Sequence, residues 1–576
     1  MPDITRTDFI YGLMAAMTAP ILGQDSPRTS LKPPSRENAN EVASIVLTDF
    51  ILPDHENATD GFIDFITALN NSPHNSLDGI ISPGTYILDS SKIAQSVPII
   101  LRDGITIRGE GKPKLVVAGT AAISSLLRFH NCSGRVENIA FAGNGKGTGY
   151  TNGSALHFLV DNMAIKSSAF MEVVDCAFEN FRSTSWLYGY VSNRDFGIDR
   201  VVISNNNIIS RTGNSIEPDA VGMRSAAVLL QSKYDHLHGG GGIYNVTITN
   251  NIVDARHIKS GFFLSDNIKK CMVAHNKVIG AGLYGALNNA GSYAFAAYDS
   301  DQLGMRDIVF ADNEIDGVRS VGIYCAGPAN VTIDRLVGRD QIDTSDSTLP
   351  KGLIVMNGVS HVTIRNVTAD NIADAAICVV TSVKGTVADI QDINVTRSQR
   401  AIYLASAYGT SVVAVKGVRT RECLYGILGN LIDGGAARAW TLSTLDIVSA
   451  VPGSIGVRIF AEGKMPVCPD LKIGGSSMID TVHAGVVVAQ LHAGTIALAG
   501  IAFMNSFESA AIVADGTHGL TLDALRFEGQ GATGYCLRLE AAQGFFGKAI
   551  TFRDIAPGHI TSGPRARFKP SSPIES

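Results

Sequence analysis

The chain has 576 residues, 59 of them glycine, with 45% apolar and only 17% charged side chains. A single core rarely grows to that length, and so ordered, turn-rich and poorly charged a composition excludes disorder and coiled coil in favour of several domains or a repeat array. The 47 basic and 53 acidic side chains give a formal charge of −6, and no basic block supplies the electrostatic footprint of a nucleic-acid binder.

In chain order, Phe9 to Gly23 (FIYGLMAAMTAPILG) is the first apolar stretch, about 15 residues where a membrane span needs ~20, so no transmembrane helix is expected. Asp3 and Asp8 flank the single Arg6, against the positive start of a secretory leader. The stretch therefore reads as a retained docking segment, with a cleaved leader as the alternative. Gln24 to Glu41 is polar and proline-containing, a linker. In residues 60–70, Phe62, Phe65, Ile66 and Leu69 fall at i, i+3, i+4 and i+7, which predicts an amphipathic helix with Asp60 as its N-cap.

Beyond residue 200 a small residue followed by apolar, any and apolar residues recurs, as in Gly261-Phe262-Phe263-Leu264 and Gly322-Ile323-Tyr324-Cys325. The small residues are Ala227, Gly261, Ala294, Gly322, Gly352, Ala376, Ala401, Gly426, Gly456, Gly485, Ala511 and Gly534, at intervals of 23 to 34 residues. Between them lie VxIx segments such as Val246-Thr247-Ile248-Thr249 and Val362-Thr363-Ile364-Arg365, alternating with period two. Short strands at such intervals, without a long 3.6-periodic face, predict an all-β solenoid of the parallel β-helix type. Asn206, Asn251, Asn276 and Asn313 share one position in this register. They predict an internal amide ladder at a bend, since asparagine tolerates left-handed geometry and stacked amides satisfy one another. The helix of residues 60–70 would cap the first coil, whose bare strand edges invite aggregation.

Four segments carry a resemblance: Leu47-Thr48-Asp49-Phe50, Thr59-Asp60, Ser82-Pro83-Gly84-Thr85-Tyr86 and Asp103-Gly104-Ile105-Thr106-Ile107-Arg108-Gly109-Glu110-Gly111. Their order resembles the opening segment of pectate-lyase-superfamily (pectin-lyase-like) right-handed parallel β-helix proteins, which include phage tailspike depolymerases and secreted polysaccharide lyases, hydrolases and epimerases. The likeness spans residues 47–111, and the coil pattern continues to about residue 557. The usual DFGAxGDGxTDDT form is broken, because Asp49-Phe50 is followed by Ile-Leu-Pro-Asp and the second acidic pair is reduced to Asp60. The resemblance implies the fold, a glycan partner and a homotrimer, and it names no reaction. The chain then divides into a docking or leader segment with its linker (1–45), an opening and capping segment (46–111), a parallel β-helix (112–557) and a polar tail (558–576). That tail leaves no room for a separate trimerisation domain, which counts against the trimer.

One outward row is expected to be Leu229, Phe263, Ala296, Tyr324, Ile354, Cys378, Tyr403 and Leu428. An exposed apolar stripe of this kind calls for a covering surface, a trimer interface or the chain's own long loops.

The densest insertion, Gly213 to Gly242, holds Glu217, Asp219, Arg224, Lys233, Asp235, His236 and His238, and the next coils add Asp266, Asp299 and Asp301. Carboxylates one or two coils apart stand about 5 or 10 Å from each other, which brackets the separations for glycosidic hydrolysis. Asp235, Asp266 and Asp299 are the acid and base nominees, supported by Glu217, Asp219 and His236. Arg224, Lys233, His238 and Asp301 are expected to bind substrate. A lyase would instead take a proton α to a uronate with Arg224, Lys233 or His236, with Ca²⁺ held by carboxylates; otherwise no cofactor is expected.

Gly143 to Gly149 lacks the GK[ST]-helix context of a phosphate loop. The eight cysteines are far apart and read as buried small hydrophobes, and His257, His275 and His361 stand isolated. Only Trp186 and Trp440 could serve as tryptophan platforms for sugar rings.

The sequence thus predicts a polysaccharide-binding and polysaccharide-degrading β-helix of tailspike type, extracellular or virion-associated, whose N-terminus docks to a larger assembly. The alternatives are a non-catalytic virion spike, fibre or adhesin, and an exported or periplasmic polysaccharide lyase or epimerase.

Overall fold

The computed structural model describes residues 43–553 and 561–562, except 52–56, 75–76, 146–153, 162–166, 182–184, 194, 211–225, 234–240, 284–290, 300–303, 343–350, 382–384, 407–408, 433–434, 463–469, 490–494, 505–506, 516–519, 529–533 and 541–545. Each coil crosses three sheets in a fixed order. In one coil, Ile243–Thr249 lies in sheet 2, Ile252–Asp254 in sheet 3 and Ser260–Asp266 in sheet 1. Each then pairs in parallel with its counterpart one coil on, Ile268–Ala274, Lys277–Ala281 and Tyr293–Tyr298. The two strand types expected from sequence are sheets 1 and 2. Sheet 3 is additional, made largely of three- to six-residue pieces directly after the bend. Already the first strand, Ala43–Val46, pairs with Leu77–Ile81 in sheet 2.

The bend between sheets 2 and 3 has one backbone solution throughout. A residue with positive φ occupies it in successive coils, Asn138, Asp175, Asn205, Asn250, His275, Asp312, Arg335, Asn366 and Asp392 among them. The next residue points inward, and in four coils it is the predicted asparagine. Asn206 Nδ2 donates to Asn251 Oδ1 at 2.9 Å, Asn251 Nδ2 to Asn276 Oδ1 at 2.9 Å, and Asn276 Nδ2 to Asn313 Oδ1 at 3.2 Å. Each Oδ1 also accepts the preceding rung's backbone N–H, at 2.9, 3.0 and 3.0 Å. The amides are buried and fully engaged, as buried polar groups must be.

Equal spacing along the axis stacks like side chains inside the solenoid. Phe129 lies parallel to Phe158 with ring centres 4.5 Å apart, Phe262 to Phe295 at 5.3 Å, and Phe503 to Phe527 at 5.1 Å. Trp186 and Trp440 are fully buried in the same core, so neither offers a sugar platform. The described cysteines are free and buried, as expected.

The helix Thr59–Asn71 closes the N-terminal end, burying Phe62, Phe65, Ile66 and Leu69. It approaches the first coil over Gly79, where a Cβ would lie 2.9 Å from both Leu69 Cδ1 and Phe65 Cζ. Asn70 pins its end, donating to the Ile99 carbonyl at 2.7 Å and accepting from Leu101 N–H at 2.9 Å. Asp60 is not the N-cap. The helix starts at Thr59, with Ala58 two residues before Asp60 at the cap position, Asn57 Oδ1 takes the Thr59 N–H at 3.1 Å, and Asp60 pairs with Lys92 instead.

Two of the small residues counted from sequence fall out of register. Ile323 pairs with Ile354, so Leu353 fills the small-residue slot and Val355, not Ile354, joins the outward row. Gly352 answers a different demand, since a Cβ there would sit 2.0 Å from the Ala375 carbonyl oxygen. In the last repeat Cys536, not Gly534, follows Ala511 in the slot, because Ile512 pairs with Leu537.

The outward apolar row is not exposed. Leu229, Phe263, Ala296, Tyr324, Val355 and Cys378 are buried within the single chain, in a second core outside sheet 1. Its rings pack on one another, Tyr293 on Tyr324 with centres 5.1 Å apart and Phe263 edge-on to Tyr293 at 6.3 Å. A face already dry in one chain gives no hydrophobic reason for a trimer.

Candidate functional site

The row that is apolar in mid-solenoid changes character toward the N-terminus. Ser125–His130, Ser154–Val160 and Ser185–Val191 are sheet 1 strands one coil apart, and they place Arg128, His157 and Tyr188 in line with Leu229. The parallel outward row carries His130, Leu159, Tyr190 and Gln231. Arg128, His130, His157, Tyr188 and Tyr190 are half-buried, neither sealed like Leu229 nor free in solvent.

The His157 and Tyr188 rings stack with centres 4.7 Å apart and planes 12° from parallel, and Tyr188 stands 5.6 Å from Tyr190. Tyr188 donates its hydroxyl proton to Gln231 Oε1 at 3.3 Å. At the edge of the group His130 Nε2 lies 2.8 Å from Asp161 Oδ1, which also accepts from Asn131 Nδ2 at 3.0 Å. Burial raises the Asp161 carboxyl, but those two hydrogen bonds and the His130 charge outweigh it and hold it below its ordinary value.

His157 is the most perturbed group here. Burial, then the positive charges of Arg128 and His130, push its pKa from 6.5 down to about 3, against a weaker pull from Asp161. Burial likewise lowers Arg128, opposed by Asp161. His157 Nε2 is buried with no hydrogen-bond partner among the described residues. The site therefore holds a neutral imidazole beside a guanidinium and against a phenol.

A stability consequence follows. Between pH 6.5 and about 3 the unfolded chain takes up a proton at His157 that the folded chain refuses. Stability therefore falls as pH falls through that window, by at most about 1.4 kcal/mol per pH unit from this group. Urea unfolding at pH 7, 5 and 4 should show a wild-type loss that exceeds that of His157→Gln, and equal losses would contradict the burial of the imidazole.

Of the site residues expected from sequence, Glu217, Asp219, Arg224, Asp235, His236, His238 and Asp301 lie outside the described residues. Lys233 is exposed just past its strand, its backbone N–H donating to the Val191 carbonyl at 2.8 Å. Asp266 ends one sheet 1 strand and Asp299 directly follows the next, after the paired Ser265 and Tyr298 respectively. Both are buried rather than facing a groove, at 4% and 5% exposure. Ser265 donates to Asp266 at 2.7 Å, while Asp299 Oδ2 accepts the Gly304 and Met305 N–H groups at 3.1 and 2.9 Å. The Asp299 carboxylate thus fixes the chain where it re-enters the coil. Among the described residues no three His, Cys, Asp or Glu side chains converge as a metal site would require.

The His157 group was missed because the repeat was counted only from Ala227. The strands Ser125-Leu126-Leu127-Arg128, Ser154-Ala155-Leu156-His157 and Ser185-Trp186-Leu187-Tyr188 share an opening serine, a leucine two places on and a polar or aromatic residue after it. That shared pattern would have extended the row three coils toward the N-terminus.

No family model matches the chain, and no curated protein matches it. Its architecture, three parallel sheets wound coil on coil, decides the class of fold. The chain is a right-handed parallel β-helix. Solved structures similar to this β-helix include the A-module of the mannuronan C-5 epimerase AlgE6 of Azotobacter vinelandii, 9% identical, covering 90% of this chain and 100% of that one with a TM-score of 0.25. A GH87 α-1,3-glucanase catalytic domain is 10% identical over 90% of this chain and 70% of that one, with a TM-score of 0.28. The PL6 family alginate lyase AlyGC is 12% identical over 89% of this chain and 80% of that one, with a TM-score of 0.26. No helix among the described residues of the β-helix is long and apolar enough to cross a membrane.

Proposed function

We propose that this β-helix binds an extracellular or cell-surface polysaccharide on the N-terminal part of the outer face of sheet 1 and cleaves it at a uronate by β-elimination. The observation that carries this reading is the neutral His157 held between Arg128 and Tyr188 on three successive strands. With Nε2 sealed, Nδ1 is the nitrogen left to take a proton. His157 removes the proton α to the uronate carboxylate, and Arg128 pairs with that carboxylate and steadies the charge spreading onto it. The electron pair forms the C4–C5 double bond as the C4–O bond breaks, and the Tyr188 hydroxyl protonates the departing oxygen. An incoming carboxylate also raises the His157 pKa, which brings a poor base closer to working range. Epimerisation in place of elimination would need a proton delivered to C5 from the face opposite His157, by a second donor.

Hydrolysis needs two carboxylates facing the glycosidic bond. Asp161 is the carboxylate that the described part of this group offers, and it is already hydrogen-bonded to His130 and Asn131. The lyase reading therefore takes precedence over the hydrolase expected from spacing. A polymer of this kind is met outside the cell, which supports an extracellular location or one on a virion of tailspike type.

The test is incubation with alginate, polygalacturonate and bacterial exopolysaccharides, following both the ultraviolet absorbance of unsaturated uronate and new reducing ends. Absorbance rising with the ends is expected. Ends without unsaturation would replace this chemistry with hydrolysis, and neither signal from any polymer would leave a non-catalytic spike or adhesin.

A further inference from the structure

The outer face of sheet 1 regains polar character beyond the buried middle. The row of His157 and Tyr188 continues through Cys378 to Tyr403, Leu428 and Arg458, and the neighbouring outward row carries Ala405, Asn430 and Phe460. Tyr403, Arg458 and Phe460 are half-buried. The Arg400 guanidinium lies 4.9 Å from the Tyr403 ring centre, and that of Arg458 lies 5.0 Å from the Phe460 ring centre.

Arg400 is tied to Asp374 at 2.8 Å, whereas Arg458 Nε is buried and donates to nothing among the described residues. On the adjacent coil Asn430, 6% exposed, holds an Oδ1 that accepts from nothing among the described residues. Buried polar atoms without partners are rare and cost stability. Two of them stand here on neighbouring coils of one face, beside two aromatic rings. The fold does not require these residues, because the flanking coils place Val487 opposite Arg458, Ala405 opposite Asn430 and Ala489 opposite Phe460.

We propose that Arg458, Asn430, Phe460 and Tyr403 form a second saccharide subsite, for an acidic sugar, on the same face as the His157 group and separate from it. The rings offer flat apolar surface to the C–H side of a pyranose, Arg458 offers a fork for its carboxylate, and Asn430 Oδ1 accepts from a hydroxyl. Tyr188 and Tyr403 are seven coil steps apart, about 34 Å at the usual strand spacing. The face between them is closed by the second core, so the two subsites hold separate stretches of one polymer. Tethering then favours long chains over short ones. The ligand class rests on the proposed function, but the site does not.

Equilibrium dialysis of labelled tetragalacturonate and tetramannuronate against the full chain tests this, with Arg458→Ala/Phe460→Ala and Arg128→Ala/Tyr188→Ala as variants. Wild type should bind two tetrasaccharides per chain and each double variant one. Affinity for the long polymer should fall about tenfold in Arg458→Ala/Phe460→Ala, with its circular dichroism and thermal unfolding unchanged because the inner core is untouched. One tetrasaccharide on wild type and none on Arg458→Ala/Phe460→Ala would keep this subsite and remove the His157 reading. Equal stoichiometry in wild type and Arg458→Ala/Phe460→Ala overturns the subsite, and no binding by wild type overturns both.

Discussion

His157→Gln is expected to lower turnover of a uronate polymer by 10²- to 10⁴-fold, about what a positioned general base contributes. Glutamine keeps a polar, planar end in a half-buried slot and removes the basic nitrogen, so KM should change little while kcat collapses. Arg128→Ala should divide the other way, raising KM as well, because the guanidinium meets the substrate carboxylate before and during proton removal. Tyr188→Phe keeps the ring stacked on His157 at 4.7 Å and loses only the hydroxyl, so it separates positioning from proton donation. The pH profiles carry a further mark. Free His157 titrates at about 3, so kcat/KM, which reports the free protein, should hold its acid side down to that region. A bound carboxylate lifts the imidazole, so the acid limb of kcat should lie at higher pH. Full activity in His157→Gln would remove the imidazole from the chemistry.

Asn251→Leu is the structural change with the largest expected cost, about 3–5 kcal/mol, read from urea unfolding. Leucine itself fits this slot, since the coil with Arg335 at the bend places buried Leu336 there. The penalty is therefore polar rather than steric. Asn206 loses the acceptor of both its backbone N–H and its Nδ2, and Asn276 Oδ1 loses the Asn251 Nδ2 donor while keeping the backbone N–H of residue 251. Each buried group left unpaired costs about 1–3 kcal/mol. Changing Asn206, Asn251, Asn276 and Asn313 together to leucine should cost less than four times the single change, because the side-chain amides that a single change orphans disappear with the ladder, while the backbone N–H groups of Cys176 and of residues 206, 251 and 276 still lose their acceptors. Additive losses would mean that the amides act as independent packing elements.

Much of this architecture was legible from local pattern. Period-two apolar residues define strands whether or not their partners are known, and a left-handed bend followed by asparagine announces a ladder wherever coils stack. The capping helix was likewise visible in Phe62, Phe65, Ile66 and Leu69, although its first turn was not, because Asp60 lies inside the helix and Asn57 supplies the hydrogen bond. The slips at Gly352 and Gly534 show the limit of spacing. Both are glycines near a repeat start, and the pairing of Ile323 with Ile354 and of Ile512 with Leu537 decides which neighbour fills the core.

The site was far less legible. Spacing singled out Asp266 and Asp299 and placed them on neighbouring coils, but it could not show that Asp299 is engaged by the backbone of residues 304 and 305. Arg128, His157 and Tyr188, each about thirty residues from the next, are joined in the sequence only by the shared Ser-x-Leu opening of their strands. Sequence by itself determined the solenoid, its turn chemistry and its inward-facing residues, because strand alternation and bend geometry depend on near neighbours. Only the tertiary structure decided which outward residues meet and which are covered. One coil step brings residues thirty positions apart to within about 5 Å, and whether that face stays open depends on what the rest of the chain lays across it.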